Sequence, residues 1–416
     1  MHRLMCIISA VLISPLTTTL SGQTMSGDSL TLDIAVITAI KNNPELKILR
    51  EEIDALEVNK IQSGLMPNPE FGVEAENIFG SGEFSDFKGS EVTAIISQNI
   101  LLAGKISKRE KVVEMDVSLA EWDYEEKRLE VITDVRMAFV QAFLAQKLIK
   151  KNKDLIKISE EFILNLKERV KAGKISPAEV SRAKIILNSL KIELTKLEAR
   201  YYASISELDA LTYDPSLIIT SLRGTFEYPL EAPTYDSLLA QLGNNPSLKR
   251  YDSEYDKQEA VIELEESKSI PDLTINVGYR RLNEVKVNTF VLGASIPIPL
   301  FDRNQGSIQE AQIKFDQKKI EYESVRNKLK LRLNILYNRL STLLNTTQLL
   351  KKESLPEAEK SFKTIKEGNM VGRFAILDVL DAERTLFEIQ NQYLNTISEM
   401  YVVRIEIEGL IAKEIQ

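Results

Sequence analysis

Cysteine and histidine are nearly absent from this chain: one of each in 416 residues, at Cys6 and His2. Both fall within Met1 to about Gln23, which has a short polar start, an apolar core from Met5 to Ile13, and small residues at Ser21 and Gly22. That order reads as a secretory signal whose core is too short to span a bilayer as a helix. A chain cleaved there keeps neither residue. Cys/His zinc sites, Ser–His or Cys–His nucleophile pairs and redox disulfides are then excluded. Cys6 lies inside the apolar core, too early to be a lipid-attachment site after cleavage.

Glycine and proline are also scarce, at 17 and 13, and aromatics make up 7% against 27% charged residues. This balance favours long helices over ordinary globular packing. The net charge of −8 argues against a nucleic-acid partner, because phosphate binding needs concentrated positive charge. Beyond the leader, no run is long and apolar enough for a transmembrane helix. Strands remain a way across a membrane.

What the chain does contain, it contains twice. Glu168 opens the run ERVKAGKISPAEVSRAKIILNSL, and 199 residues later Glu367 opens EGNMVGRFAILDVLDAERTLFEI. Gly173 falls on Gly372, Lys174 on Arg373, Glu179 on Asp378, Ala183 on Ala382 and Leu187 on Leu386. In each copy a helical pattern reaches a glycine, turns and restarts, as expected where positive φ ends a helix. Asn42-Asn43-Pro44 likewise returns as Asn244-Asn245-Pro246, offset by 202, each pair suited to cap a helix and place proline in its first turn. An internal duplication follows.

The division read from this is a signal at 1–23, a first repeat at 24–213, a linker at 214–233 and a second repeat at 234–416. The first repeat holds a helix from Leu30 to Gly64, a β-hairpin over about 69–101, a long helix over about 105–172, a tip turn, and a helix over about 177–211. The second holds a helix, a hairpin over about 271–298, a long helix over about 306–367, a tip turn, and a helix over about 374–412. Lys105 to Ala172 runs 68 residues without Gly or Pro, about 100 Å as one helix. Pro356 predicts a bend or break in the second long helix. Leu217 to Thr220 in the linker is strand-like.

Within the hairpins the period changes to two. Phe71, Val73 and Ala75 alternate with Gly72, Glu74 and Glu76; Leu273, Ile275, Val277 and Tyr279 alternate with Thr274, Asn276, Gly278 and Arg280. The return strands alternate in the same way. Strands of about 9–11 residues with one apolar face are the transmembrane-barrel pattern. A soluble hairpin with one dry face shares it. Two hairpins cannot close a barrel, so several chains would have to pool their strands.

Heptad-like helices on their own read as a coiled coil. The chain also resembles the TolC-type outer-membrane efflux factors, in the cobalt–zinc–cadmium heavy-metal branch. The resemblance is carried by Gly372 to Glu388 (GRFAILDVLDAERTLFE), Ile296 to Gly306 (IPIPLFDRNQG) and Ser97 to Lys105 (SQNILLAGK), with weaker support from Asn43-Pro44-Glu-Leu and Asn68-Pro69-Glu. It implies a mainly α fold with a small β part. Each chain of a homotrimer would supply four strands to a twelve-stranded barrel in outer-membrane lipid, and long helices to a periplasmic α-barrel. It further implies docking onto a periplasmic adaptor (membrane fusion) protein and an inner-membrane resistance–nodulation–division pump, with no cofactor and no catalysis.

The resemblance places the Gly173 and Gly372 turns, with Lys174 and Arg373, at the periplasmic tips that meet the adaptor. It assigns aspartates matching Asp378 and Asp381 to the constriction that closes the resting tube. Three apart, they lie on one helix face and would form two rings of carboxylates around a trimer axis, attracting cations and raising each other's pKa. Glu179 is the first-half equivalent of Asp378. Lys174, Arg182, Arg373 and Arg384 are candidate salt-bridge partners in the closed state. Arg373 stands one position closer to the glycine than the family's basic residue, which leaves that pairing open. Asp378 equally reads as a helix-terminal charge offsetting the macrodipole, worth about 0.3–1 kcal/mol. Arg169, Lys171 and Lys174 read as an adaptor or lipid patch, or as a solvated helix face. Trp122 reads as an interfacial anchor or as packing between helices.

The functional expectation is a passive outer-membrane duct for heavy-metal cations. A multidrug or type I secretion duct is the alternative, and an exported coiled coil without a pore is the reading in a different class. An enzyme would have to work with carboxylates, lysine or tyrosine alone, and no such site motif is visible.

Overall fold

The structure is a computed structural model and describes residues 29–224 and 233–413. The signal expected at 1–23 and part of the linker lie outside the described residues. The first half runs α1 (Leu32–Asn42), α2 (Pro44–Ser63), β1 (Glu70–Glu76), β2 (Glu91–Ile100), α3 (Lys105–Lys171) and α4 (Pro177–Thr212). The second runs α5 (Tyr235–Gln241), α6 (Pro246–Lys268), β3 (Leu273–Leu282), β4 (Val287–Ser295), α7 (Gln305–Leu349), α8 (Leu355–Met370) and α9 (Ile376–Ile411).

The short-range signals act as their chemistry dictates. Asn43 Oδ1 accepts from the Leu46 N–H at 3.0 Å with Pro44 opening α2. Asn245 Oδ1 accepts from Ser247 N–H at 2.9 Å with Pro246 opening α6. Each satisfies an amide that the helix itself leaves orphaned. α3 is one unbroken helix of 67 residues, about 100 Å long.

Its second-half counterpart is not straightforward. α7 passes into a π-helical turn, Leu350–Ser354, and only then into α8, which carries Pro356 in its first turn. Proline offers no N–H and its ring crowds the carbonyl four residues back, so a wider turn just upstream relieves both. Leu217 to Thr220 forms no strand. Only Leu222 bridges, to Leu30, while Gln146 of α3 grips Leu222 through both backbone groups, at 3.1 and 3.0 Å.

All four strands form one antiparallel sheet in the order β1-β2-β3-β4. The two hairpins join through β2 and β3, with Ile96 opposite Val277 and Ala94 opposite Tyr279. This register sets Phe71, Val73, Ile96, Val277, Phe290 and Leu292 on one continuous face, and all six are exposed. The opposite face carries Glu74, Glu76, Glu91, Thr93 and Arg280, with Arg280 donating to Glu91 at 2.9 Å and Thr93 at 2.8 Å. Among the described residues β1 and β4 each have one unpaired edge.

The main core sits halfway down α3, where Val135 and Phe139 pack among residues of α1, α4, α7 and α9, including Leu333, Val403 and Ile407. Two smaller clusters lie towards the helical tips. Trp122 packs between helices, donating from Nε1 to Ser253 Oγ of α6 at 3.2 Å. Among the described residues no helix is long and apolar enough to cross a membrane.

The sheet is fastened to the helices by one nearly buried ion pair. Lys105, the first residue of α3, reaches Asp272 at 2.6 Å and the Ile270 carbonyl at 2.6 Å, and Asp272 also accepts from the Leu102 N–H. Removing one member of such a pair strands a buried charge, which costs about 3–5 kcal/mol where burial is complete. Asp272→Ala is expected to lower the denaturation midpoint markedly, and Lys105→Met with Asp272→Leu to recover most of the loss. Equal midpoints for wild type and Asp272→Ala would disprove the fastening.

Candidate functional site at the helical tips

The two tips are built by the same backbone device. After α3, Gly173 takes φ +68°, and the amides of Gly173 and Lys174 donate back to Val170 and Arg169, each at 2.9 Å. After α8, Gly372 takes φ +80°, and the amides of Gly372 and Arg373 donate to Asn369 and Gly368 at 3.1 and 2.8 Å. These paired bonds satisfy the last carbonyls of each helix and require the left-handed residue that glycine supplies. The restart differs between halves. Ser176 Oγ accepts from the Ala178 N–H at 3.2 Å to open α4. α9 has Ala375 at that place, which has no side-chain acceptor.

Asp378 fills the gap from the other side, its Oδ2 accepting from the Ala375 N–H at 2.8 Å. Its terminal-charge role is therefore present in the fold. Asp381 pairs with Arg384 at 3.6 Å, and Arg384 also approaches Glu388 at 3.8 Å. Glu179 pairs with Arg182 at 3.2 Å, leaving its Oε2 buried without a hydrogen-bond partner. Each of these ion pairs stays on its own helix. Among the described residues, Lys174 and Arg373 make no ion pair within the chain. Asp378 and Asp381 share one wall of an open groove of about 450 Å³ between α8 and α9, beside Phe374, Ile365 and Thr385.

Two residues that sequence reasoning missed connect the tips. Arg169 of α3 donates to Asn369 Oδ1 at 2.9 Å, and Asn369 Nδ2 donates to the Phe374 carbonyl at 2.8 Å. Asn369 is 3% exposed, so one side chain ties the first-half tip to the second-half turn. The signal was an asparagine in a last helical turn, where it is a poor former, at the place Val170 holds in the first half. The other is Glu383, on α9 two residues beyond Asp381. It is 2% exposed, facing Ser159 of α3, and burial pushes its pKa up to about 7. The field of Lys366 and the Ser159 hydroxyl offset only part of that shift.

The outer membrane efflux protein family matches residues 36–212 and 239–411, nearly all of both halves. The chain belongs to that family. It is 30% identical over 384 residues to the cobalt-zinc-cadmium resistance protein CzcC of Cupriavidus metallidurans, covering 92% of this chain and 90% of the relative. By structure it resembles a membrane protein from Pseudomonas aeruginosa (TM-score 0.74, 13% identity, 92% and 90% of the two chains). It also resembles the channel-forming CusC (TM-score 0.73, 14% identity, 91% of each). The fold is thus the TolC-like one, mainly helical with a small sheet. This efflux protein is an outer-membrane component with a helical extension into the periplasm.

Asn369→Ala would free Arg169 and remove the donor to the part-buried Phe374 carbonyl, two hydrogen bonds whose loss costs about 1–3 kcal/mol together. Amides over 365–380 are expected to exchange roughly tenfold faster or more, with the α3 mid-section unchanged. Unaltered protection at the tip would show that Asn369 does not hold it.

Proposed function

We propose that three copies of this efflux protein pool their sheets into one closed barrel and form a passive duct for heavy-metal cations. The observation that carries this reading is the sheet itself: four strands, two open edges and an exposed apolar face. Strand direction alternates across the sheet, so β4 of one copy meets β1 of the next in antiparallel sense. Twelve strands then enclose a lumen lined by the polar face, within the range of membrane barrels. The cation is cargo, and its identity is suggested by the name of CzcC.

In this reading the α8–α9 hairpins converge on the axis at the periplasmic end. Asp378 and Asp381 form the constriction, with Glu179 beside them. Lys174, Arg182, Arg373 and Arg384 are the cations available to hold it shut, and those without partners in the chain, Lys174 and Arg373, would find theirs on a neighbouring copy. The turns at Gly173 and Gly372 meet the periplasmic adaptor, and an inner-membrane pump supplies the energy. The two repeats, 24–213 and 234–416, each contribute a helical wall.

Purified protein in planar bilayers tests the duct and its gate together. Wild type is expected to show small channels, and Asp378→Ala with Asp381→Ala several-fold larger conductance and weaker cation preference. In cells the double variant should raise antibiotic sensitivity. Conductance unchanged by the double variant would remove the gate assignment; no channels at all would remove the duct.

A further inference from the structure

α9 buries two carboxylates, and the structure treats them differently. Glu408, near the C-terminal end, is met by Arg136 of α3 at 2.6 Å and Arg404 at 2.9 Å. Glu383 lies in the seam between α9 and α3, among Val379, Leu380 and Leu386, all buried. The Ser159 hydroxyl that faces it offsets only part of the cost of that burial, and Glu383 Oε1 gains no well-formed hydrogen bond. Seven residues up α3, Asn152 is 1% exposed with neither side-chain polar atom partnered. Buried polar groups are rarely left unsatisfied, and a seam that leaves several so is not optimised for one arrangement.

The charges on the surrounding helices do not make up the deficit. α8 presents Lys366, whose field acts on Glu383, while Lys363 and Glu367 are exposed. On α3, Glu160 is drawn outward to Lys191 of α4 at 2.7 Å. α4 turns Ala183 inward and leaves Arg182 and Lys184 exposed. On α9 itself, Arg384 engages Asp381 and Glu388 on the solvent side. The α8–α9 hairpin also has a place to pivot. The π-helical turn Leu350–Ser354 lies at the far end of α8, about 24 Å from the tip, and α3 is continuous at the corresponding level.

We propose that Glu383 is a proton-controlled latch: protonated, it lets α9 pack against α3 and the tip close; ionised, it drives the α8–α9 hairpin away from α3 about the π-helical turn. This rests on the tip being the gate of the duct. The direction follows from linkage. A carboxyl held near 7 in the packed state and near 4.5 when solvated favours packing fully below pH 4.5. That advantage is lost as the pH rises to about 7, and little changes above. With those two values the open-to-closed ratio rises about fortyfold between pH 5 and pH 7, and less than about twofold more by pH 8.

The experiment is single-channel recording from pH 5 to pH 8, with Asp378→Asn and Asp381→Asn present throughout so that the outer carboxylates do not titrate. The expected result is a rise in open probability that levels off near pH 7, replaced in Glu383→Gln by a pH-independent value no higher than the pH 5 level of the same background. A flat profile with Glu383 intact, or the same rise in Glu383→Gln, overturns the latch. Should no channels form in any variant, the duct reading fails on its own account, and hydrogen exchange of 376–390 still decides the latch. After correction for intrinsic exchange, protection lost with rising pH only where Glu383 is present supports it; equal protection overturns it.

Discussion

A strand in lipid must pair every backbone N–H and C=O, because hydrocarbon offers no substitute partner. Here that condition is met on six of the eight strand edges and fails on the outer edges of β1 and β4. Nothing within one copy can meet it, since the chain has no further strand among its described residues. The remaining architecture serves this incomplete sheet. The β2–β3 register aligns the apolar faces of two hairpins far apart in sequence, so lipid would meet one continuous surface. Lys105 and Asp272 then fix the sheet to the start of α3, so the wall of the proposed barrel would pass directly into the helices.

The two halves share a plan but have diverged mainly at one end. Caps, prolines, hairpins and glycine turns recur in both. Pro356 with its π-helical turn, Asn369 and Glu383 stand where the first half has Lys157, Val170 and Lys184. All three changes fall on α8 and α9 or at the head of that hairpin. The first half thus supplies a continuous helix, and the second a hairpin with a wider turn at its base and polar groups in its seam. That asymmetry is what a fixed wall and a movable one would need.

Much of this was legible because local chemistry decided it. Asn43-Pro44 and Asn245-Pro246 start helices through their own side chains, and Gly173 and Gly372 stop them through backbone freedom. The strands announced themselves by period. The β2–β3 pairing was not legible, because register between distant hairpins depends on the whole sheet closing. The strand-like Leu217 to Thr220 misled because its spacing suits a strand, but among the described residues no partner strand lies beside it, and nearby Leu222 is held by Gln146. Glu383 and Asn369 were missed for another reason. A heptad pattern shows which helix face is apolar, and a charged residue on it is read as solvated; only packing reveals that α3 and α8 cover it.

The charged and uncharged parts of the tip also oppose one another. Asp378 takes the Ala375 N–H and is thereby tied to the first turn of α9. Around the proposed axis, that same bond would hold a ring of carboxylates in place, and like charges there would work to spread it. Asp381 gains little relief from Arg384, since both are about two-thirds exposed and such pairs are worth about 0–1 kcal/mol. In that reading, closure within one copy would rest on contacts that are not ion pairs: the Arg169–Asn369 hydrogen bond and the apolar seam of α3 with α9. A seam that must balance steady repulsion is most sensitive where its own packing is weakest, and that point is the buried carboxyl of Glu383.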